Sequence, residues 1–270
     1  MNNQLRPEAL KELFRLVNDR LPTNGKILCL SLTGSRAFGW ANERLDYDIH
    51  GLFAAKNAWD WVHYGGDDGF GFDINLYELE YIFGHYPNYL SFEFFQNIIG
   101  NPVYLNPKFD YQGLISLCSP NLCFEPIYEI SGLEDRFTPR AALHCYRVLM
   151  VQIHFLETRT FELNIFKLNE KHKLEMLPVL KQAYWDRIES QGRTLEELEK
   201  EKIRQDLAKL LEQFKGLKEK FKDEKTDIEK IEKWKRKASQ LWSSEPVQKR
   251  GIKIRFLNFL KRVIKKITGK

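Results

Sequence analysis

Residues 26–55 read KILCLSLTGSRAFGWANERLDYDIHGLFAA. The apolar run from Ile27 to Leu32 has the length of a strand, and Gly34 breaks it. A glycine there marks a place where the backbone must come close to something. Ser35 adds a hydroxyl donor, and a helix opening near Arg36 turns its positive end towards an anion. The end of this strand therefore reads as a phosphate cradle. A loop of turn residues leads into a second strand, DYDIHGLF, where Asp46 and Asp48 stand two apart. Side chains two apart on a strand share a face. Both carboxylates project together with His50, while Tyr47, Ile49 and Phe53 serve packing on the other side. Two such neighbours repel, and carboxylate oxygens suit Mg²⁺ or Mn²⁺ rather than zinc.

A third acid follows. In GFGFDINLYEL, residues 69–79, Phe70, Phe72, Ile74 and Leu76 alternate with Asp73, Asn75 and Tyr77. That pattern is a strand with one apolar and one polar face. If this strand neighbours the one carrying Asp46 and Asp48, the three carboxylates converge. Taken singly, a Gly-Ser turn is an ordinary turn and two acids on a strand are a solvated strand end. The three features together point to a metal-dependent site.

These residues, Gly34-Ser35 followed by Asp46-Tyr47-Asp48 and then Asp73, resemble the signature of the DNA polymerase beta-like nucleotidyltransferase superfamily. The wider run LTGSRAFGWANERLDYDIHGLF resembles most the stand-alone branch predicted to act in RNA repair, and PNYLSFEFF, residues 87–95, is similar to a helix that branch places after its third acid. The likeness covers about residues 26–105; beyond it, HCYRVLMVQ from His144 and the run from Asn164 to Leu180 are only loosely similar to the family's helical second domain. Leu45 stands where a small hydroxyl residue is usual, and His50 where the branch often carries Arg. The first departure bears on loop hydrogen bonding, the second on substrate handling.

The resemblance implies an α+β fold. A small mixed β-sheet, palm-like nucleotidyltransferase domain with flanking helices would span residues 1–115. An α-helical domain with long helices would follow over 116–248, and a basic amphipathic C-terminal helix over 249–270. It implies transfer of a nucleoside monophosphate from an NTP, ATP being the expected one, to a hydroxyl acceptor, with release of pyrophosphate. Asp46, Asp48 and Asp73 would be both catalytic and metal ligands, for Mg²⁺ or Mn²⁺. Gly34 and Ser35 would hold the β- and γ-phosphates, with Arg36 assisting. The helical domain of relatives lends basic groups to the nucleotide, which makes His144 and Arg147, three apart on one helix, candidates; a cap or a surface pairing is the other reading. The acceptor expected is an RNA or tRNA end. Nucleotidylation of a protein, as in toxin-like relatives, or of a small molecule would use the same core, and a catalytically inert nucleic-acid-binding scaffold is the reading from a different class.

The rest of the chain gives these expectations a setting. Residues 1–150 carry 12 Lys and Arg against 18 Asp and Glu, a net of −6, and residues 151–270 carry 30 against 19, a net of +11. The basic half has the sign suited to a polyanion. No apolar run reaches the ~18 residues of a spanning helix, and the polar start carries no signal-peptide pattern, so a cytoplasmic protein is expected, with membrane contact not favoured. Cys29, Cys118, Cys123 and Cys145 show no zinc spacing, and neither zinc nor a disulfide is expected.

Pro7 to Leu21 reads as a helix with Leu10, Phe14, Val17 and Leu21 inward. The span Glu78 to Ile99 reads as helical with a break near Pro87, VYLNPKF as a short strand, and Pro139 as the first residue of a long helix. From Thr194 to Lys222, Ile203, Leu207, Leu210, Phe214, Leu217 and Phe221 form a heptad seam, and Thr226-Asp227 caps a second helix. The two would make a helical hairpin over about 194–241, or the seam would pair two chains in a homodimer; the spacing does not choose. From Lys249 onward there are nine basic residues and no acid, with an apolar stripe suited to docking and lysines suited to RNA phosphates.

Overall fold

The computed structural model describes residues 5–22, 25–42, 46–55, 62–66, 69–85, 91–135, 137–188 and 195–243. The expected basic C-terminal helix, 249–270, lies outside them. Among the described residues the protein is mixed α and β: one five-stranded sheet and eleven α-helices.

The strands are β1 (Lys26–Leu32), β2 (Tyr47–Ala54), β3 (Val62–Gly65), β4 (Phe72–Glu78) and β5 (Pro102–Leu105), in the order β3-β4-β2-β1-β5. Strand β2 pairs antiparallel with β1 and parallel with β4, so the sheet is mixed. The alternation read from residues 72–78 is realised: Phe72, Ile74 and Leu76 are buried, and Asp73, Asn75 and Tyr77 are half-buried. Strand β3 is an addition. It is four residues long and its burial alternates between half-buried and exposed, so it lacks the apolar content that marks the other strands. It hydrogen-bonds to β4 as an edge strand.

Helix α1 (Pro7–Arg20) starts with proline at its first position, where a missing N–H is harmless. Its buried face is wider than the expected stripe and centred on Leu13, with Ala9, Leu16 and Val17; Leu10 and Phe14 lie at its margin. Phe14 meets Tyr104 of β5 edge-on at 5.1 Å, and Arg20 lies over Tyr64 of β3, 3.7 Å from the ring centre. The helix therefore crosses the sheet from one edge to the other.

A short helix, α2 (Gly34–Phe38), joins β1 to the loop before β2. Helices α3 (Leu79–His85) and α4 (Phe92–Ile99) follow β4. Ser91 caps α4 by accepting from the Phe94 N–H at 3.1 Å. Buried Ser31 donates to the Ile98 carbonyl at 2.5 Å, which fixes α4 on the sheet face opposite α1. Short helices α5 (Tyr111–Ile115) and α6 (Ile127–Asp135) lead to α7 (Pro139–Thr158). As the sequence indicates, α7 opens on Pro139, and Thr138 caps it by accepting from the Ala141 N–H at 3.2 Å.

Helix α7 is buried on almost every side, with Leu143, Tyr146, Leu149, Met150, Ile153 and Phe155 all inaccessible. A helix apolar all round belongs at the centre of a bundle. Around it pack α6, α8 (Ile165–His172), α9 (Met176–Ile188) and α10 (Glu197–Glu219).

The heptad seam of α10 is real: Ile203, Leu207, Leu210 and Phe214 are buried. Its cover is chiefly α7, and Tyr146 of α7 donates to Asp206 at 2.9 Å. Helix α11 (Ile228–Ser243) is capped by Asp227, which accepts from the Lys230 N–H at 2.9 Å. It leaves α10 and packs on α3 beside the sheet. Trp234 lies between Phe83 and Phe109, with ring centres 5.3 and 5.7 Å away, and donates to the Asp110 carbonyl at 3.1 Å. The stretch expected to fold as a hairpin thus sends its first helix to α7 and its second to α3. The four cysteines are buried free thiols. No helix among the described residues is long and apolar enough to cross a membrane.

Candidate active site

Directly after strand β1 comes Thr33, whose N–H and hydroxyl both reach the Asp48 carbonyl, at 2.8 and 3.2 Å. This clamp holds the end of β1 against the start of β2. Gly34 then turns with φ +62°, a left-handed conformation that residues with a Cβ adopt at a cost. A Cβ on Gly34 would lie 1.6 Å from Oδ2 of Asp48, inside any contact distance. What the glycine approaches so closely is the carboxylate itself.

The parallel pairing of β2 with β4 places Asp48 directly beside Asp73, His50 beside Asn75 and Leu52 beside Tyr77. Asp46 stands just ahead of β2 and is exposed. Gly71, with φ +66°, is its close neighbour: a Cβ there would lie 2.7 Å from Asp46 Oδ1. The Asp46 carbonyl accepts from Arg36 Nε at 3.1 Å, and the Arg36 guanidinium covers the Tyr47 ring, 3.9 Å from its centre.

Electrostatics tie the three acids together. Burial raises the Asp48 carboxyl above its ordinary range; the charges of Asp73 and Asp46 push it the same way, and Arg140 and Arg36 pull it back. Asp73, 44% exposed, accepts from Asn75 Nδ2 at 3.2 Å and has His63 Nδ1 of β3 at 3.5 Å. Burial lowers His50 although Asp73 opposes it, and burial with the Asp73 charge raises the Tyr77 phenol. Each of these side chains therefore feels the field of Asp73.

Among the described residues no three His, Cys, Asp or Glu side chains form a group that could hold a metal ion. The three carboxylates share a field without closing a coordination sphere. Their chemistry still fits a hard divalent cation. The donors are all oxygen, and Asp48 carries a repulsion that a cation relieves. Asp48 and Asp73, side by side in register, with Asp46 just ahead of them, are the oxygen donors such an ion would meet.

Helix α7 supplies the positive side. Arg140, His144 and Arg147 are spaced four and three apart and so share one helical face. Arg147 is buried with its side chain 6% exposed, its NH2 group 3.4 Å from Glu93 of α4. It also touches the His144 ring and lies over Phe38 of α2, 4.7 Å from the ring centre. Its Nε has no hydrogen-bond partner among the described residues. Burial drives the His144 imidazole down to about 4, and the charges of Arg147 and Arg140 act in the same direction. His144 is therefore neutral at pH 7.

Arg140, exposed at the start of α7, has a charge felt by both Asp48 and His144. It was not among the candidates read from the sequence, and neither were Thr33 and His63. Thr33 had a local signal, since it directly precedes the Gly-Ser turn. Arg140 had none, being 92 positions from Asp48 in the chain.

Two clefts, of about 460 and 410 Å³, lie elsewhere. The first runs between Ser116, Arg159 and Lys230, the second between His154, Glu162 and His172, and neither includes the three carboxylates. In comparisons with known proteins, no family model and no curated protein matches the chain.

Proposed function

We propose that the protein is a metal-dependent nucleotidyltransferase with a palm-like catalytic sheet, transferring a nucleoside monophosphate from an NTP to a hydroxyl acceptor. The observation that carries the reading is the register of Asp48 with Asp73 on parallel strands, directly under a glycine that only a side-chain-free backbone can provide. Main-chain N–H groups after Gly34 and the Ser35 hydroxyl hold the β- and γ-phosphates. Arg36, anchored to the Asp46 carbonyl, keeps the acidic strand in register with that turn. Arg140 offers its exposed guanidinium to the triphosphate from the α7 side.

Asp73 orients the acceptor hydroxyl and takes its proton as the hydroxyl oxygen attacks the α-phosphorus. The bond to the bridging oxygen breaks in line, and pyrophosphate leaves. Asp46, Asp48 and Asp73 would hold Mg²⁺ or Mn²⁺ once drawn together around it, and the ion would supply neutralisation of charge on the phosphates. Positioning and electrostatic stabilisation are the main contributions such a site makes.

An RNA or tRNA end is the favoured acceptor, because the net charge of +11 over residues 151–270 attracts a polyanion. The test is transfer of label from each of the four α-³²P NTPs, with Mg²⁺ or Mn²⁺, into total RNA, tRNA and protein extract, beside an Asp46→Ala/Asp48→Ala variant. Label in one acceptor class that is lost in the variant supports the reading and names the acceptor. Absence of label from every class, together with absence of nucleotide binding, removes it in favour of a scaffold.

A further inference from the structure

The sheet register gathers more than carboxylates around Asp73. Strand β3 pairs with β4 so that His63 stands opposite Asn75, and Gly65 opposite Asp73. Cross-strand partners share a face of the sheet. Asp73 therefore has Asp48 on one side and, on the other, a residue with no side chain. The His63 ring takes up that space. It leans over Gly65, where a Cβ would lie 3.6 Å from Nε2. Its Nδ1 stands 3.1 Å from Asn75 Oδ1 and 3.5 Å from Asp73 Oδ1.

The direction of the hydrogen bonds along this row is fixed from one end. A carboxylate only accepts, so Asn75 meets Asp73 Oδ1 with its Nδ2, at 3.2 Å. The amide oxygen is then the atom turned to β3, and an amide oxygen also only accepts. Nδ1 of His63 must carry a proton, whether the ring is neutral or charged. The row runs from His63 Nδ1–H to Asn75 Oδ1, and from Asn75 Nδ2–H to Asp73 Oδ1. Both ends of the amide are used, and through it one oxygen of Asp73 is tied to the edge strand.

We propose that His63 is a positioning residue which, acting through Asn75, holds Asp73 in the rotamer from which the carboxylate takes the proton of the acceptor hydroxyl. The inference rests on the nucleotidyltransferase reading and gives strand β3 a part in it. Residues of β3 alternate between half-buried and exposed, so burial alone accounts for little of what this strand does. An Asn75 amide without a donor from β3 is free to turn end for end, and Asp73 then loses its N–H. Partners that orient a ligating carboxylate matter by about 10–100-fold in activity.

The experiment has two arms, both on the full chain. Long-range ¹H–¹⁵N spectra at about pH 8.5, where imidazoles are ordinarily neutral, read the tautomer of His63. Nδ1–H is expected; Nε2–H overturns the proposal whether or not the protein is active. The second arm follows kcat and the NTP KM in His63→Asn, His63→Gln and His63→Phe. The amide nitrogen of Asn stands where Nδ1 stands in histidine, that of Gln where Nε2 stands, and Phe has neither. His63→Phe and His63→Gln are expected to lose roughly 10–100-fold in kcat with the NTP KM kept within about twofold, and His63→Asn to recover most of that loss. Equal kcat in the wild type and His63→Phe overturns the proposal. An equal loss in the Asn and Gln variants overturns it too, since a merely structural effect would not distinguish them. If the wild type transfers no label, the nucleotidyltransferase reading fails and takes the positioning role with it, while the tautomer still reports whether the row exists.

Discussion

Gly34 and Asp48 cannot both keep their places if residue 34 has a side chain. The missing Cβ would fall 1.6 Å from Oδ2 of Asp48, and the residue sits at φ +62°. Gly34→Ala meets a left-handed penalty of roughly 1–2 kcal/mol and also displaces the carboxylate. A misplacement of this kind costs on the order of a hundredfold in rate. Melting curves and transfer assays on Gly34→Ala should show a modest loss of stability beside a much larger loss of activity; equal activity at equal concentration would separate Gly34 from the site.

Asp48→Asn is expected to act in opposite directions on stability and activity. The Asp48 carboxyl is raised in the folded protein by burial and by Asp73 and Asp46. A carboxyl raised on folding contributes stability below its unfolded value, near 3.8, that is lost as pH rises through the folded value. At neutral pH the asparagine variant escapes that loss, so its melting temperature should exceed that of the wild type at pH 7. The advantage should vanish towards pH 3. Transfer activity, measured in parallel, should fall to background.

Of the three side chains on this face of α7, Arg140 is exposed and charged, Arg147 is buried against Glu93, and His144 is neutral. With His144 at about 4, its protonation occurs well below neutral pH. A histidine lowered on folding makes stability rise with pH between its folded value and the unfolded 6.5. The His144 ring resonances should therefore stay flat from pH 8 to 6, and His144→Gln should leave the salt dependence of nucleotide binding unchanged. Arg140→Ala should weaken NTP binding about tenfold, in the range of a lost charge-assisted hydrogen bond. Calorimetric titration at two salt concentrations distinguishes the two variants.

Arg147 carries a buried Nε with no partner among the described residues, and its anionic contact, Glu93, is 46% exposed. Replacing the arginine strands no buried charge, because Glu93 reaches water. Arg147→Met, which keeps the length of the side chain, should change unfolding free energy by no more than about 1 kcal/mol in either direction. Denaturant titration settles this; a loss several times larger would mean that the guanidinium holds α2 and α4 together through contacts beyond Phe38 and Glu93.

Trp234 anchors α11. Trp234→Ala should cost about 3–5 kcal/mol, as buried aromatic truncations do. Trp234→Phe keeps most of the packing on Phe83 and Phe109 and loses the 3.1 Å hydrogen bond to Asp110, about 1 kcal/mol. Limited proteolysis should cut α11 in the alanine variant before any other described helix.

What could be read from the chain, and what could not, follows one division. Strand β1 announces itself as a continuous apolar run buried on both faces, and β4 through the alternation of Phe72, Ile74 and Leu76 with polar residues; β2 begins with the same alternation. The start of α7 is legible through Thr138 and Pro139, and the start of α11 through Asp227, because caps are local chemistry. Strand β3 is not legible, since His63 and Tyr64 alternate at an edge that water wets. The heptad seam of α10 is legible as a face, yet spacing does not say what covers a face, and α7 covers it. In the site, a close approach at Gly34 could be read from a glycine ending an apolar run, but the partner it meets in the fold is the Asp48 carboxylate, where a phosphate had been expected. The place of Arg140 beside Asp48 could not, because α7 brings it there through packing and no local pattern encodes that.

The return of α11 to the sheet also sets a timetable for synthesis. Trp234 meets Asp110 across 124 positions, and Ser239 meets Glu80 across 159. At translation rates of 5–20 residues per second, roughly 6–25 s pass between the emergence of Asp110 and that of Trp234. For that interval Phe83 and Phe109 stand uncovered on a nascent chain, a surface of the kind that chaperones bind. Contacts this distant in sequence also slow the final folding step, so among the described helices α11 is the last to find its place, against α3.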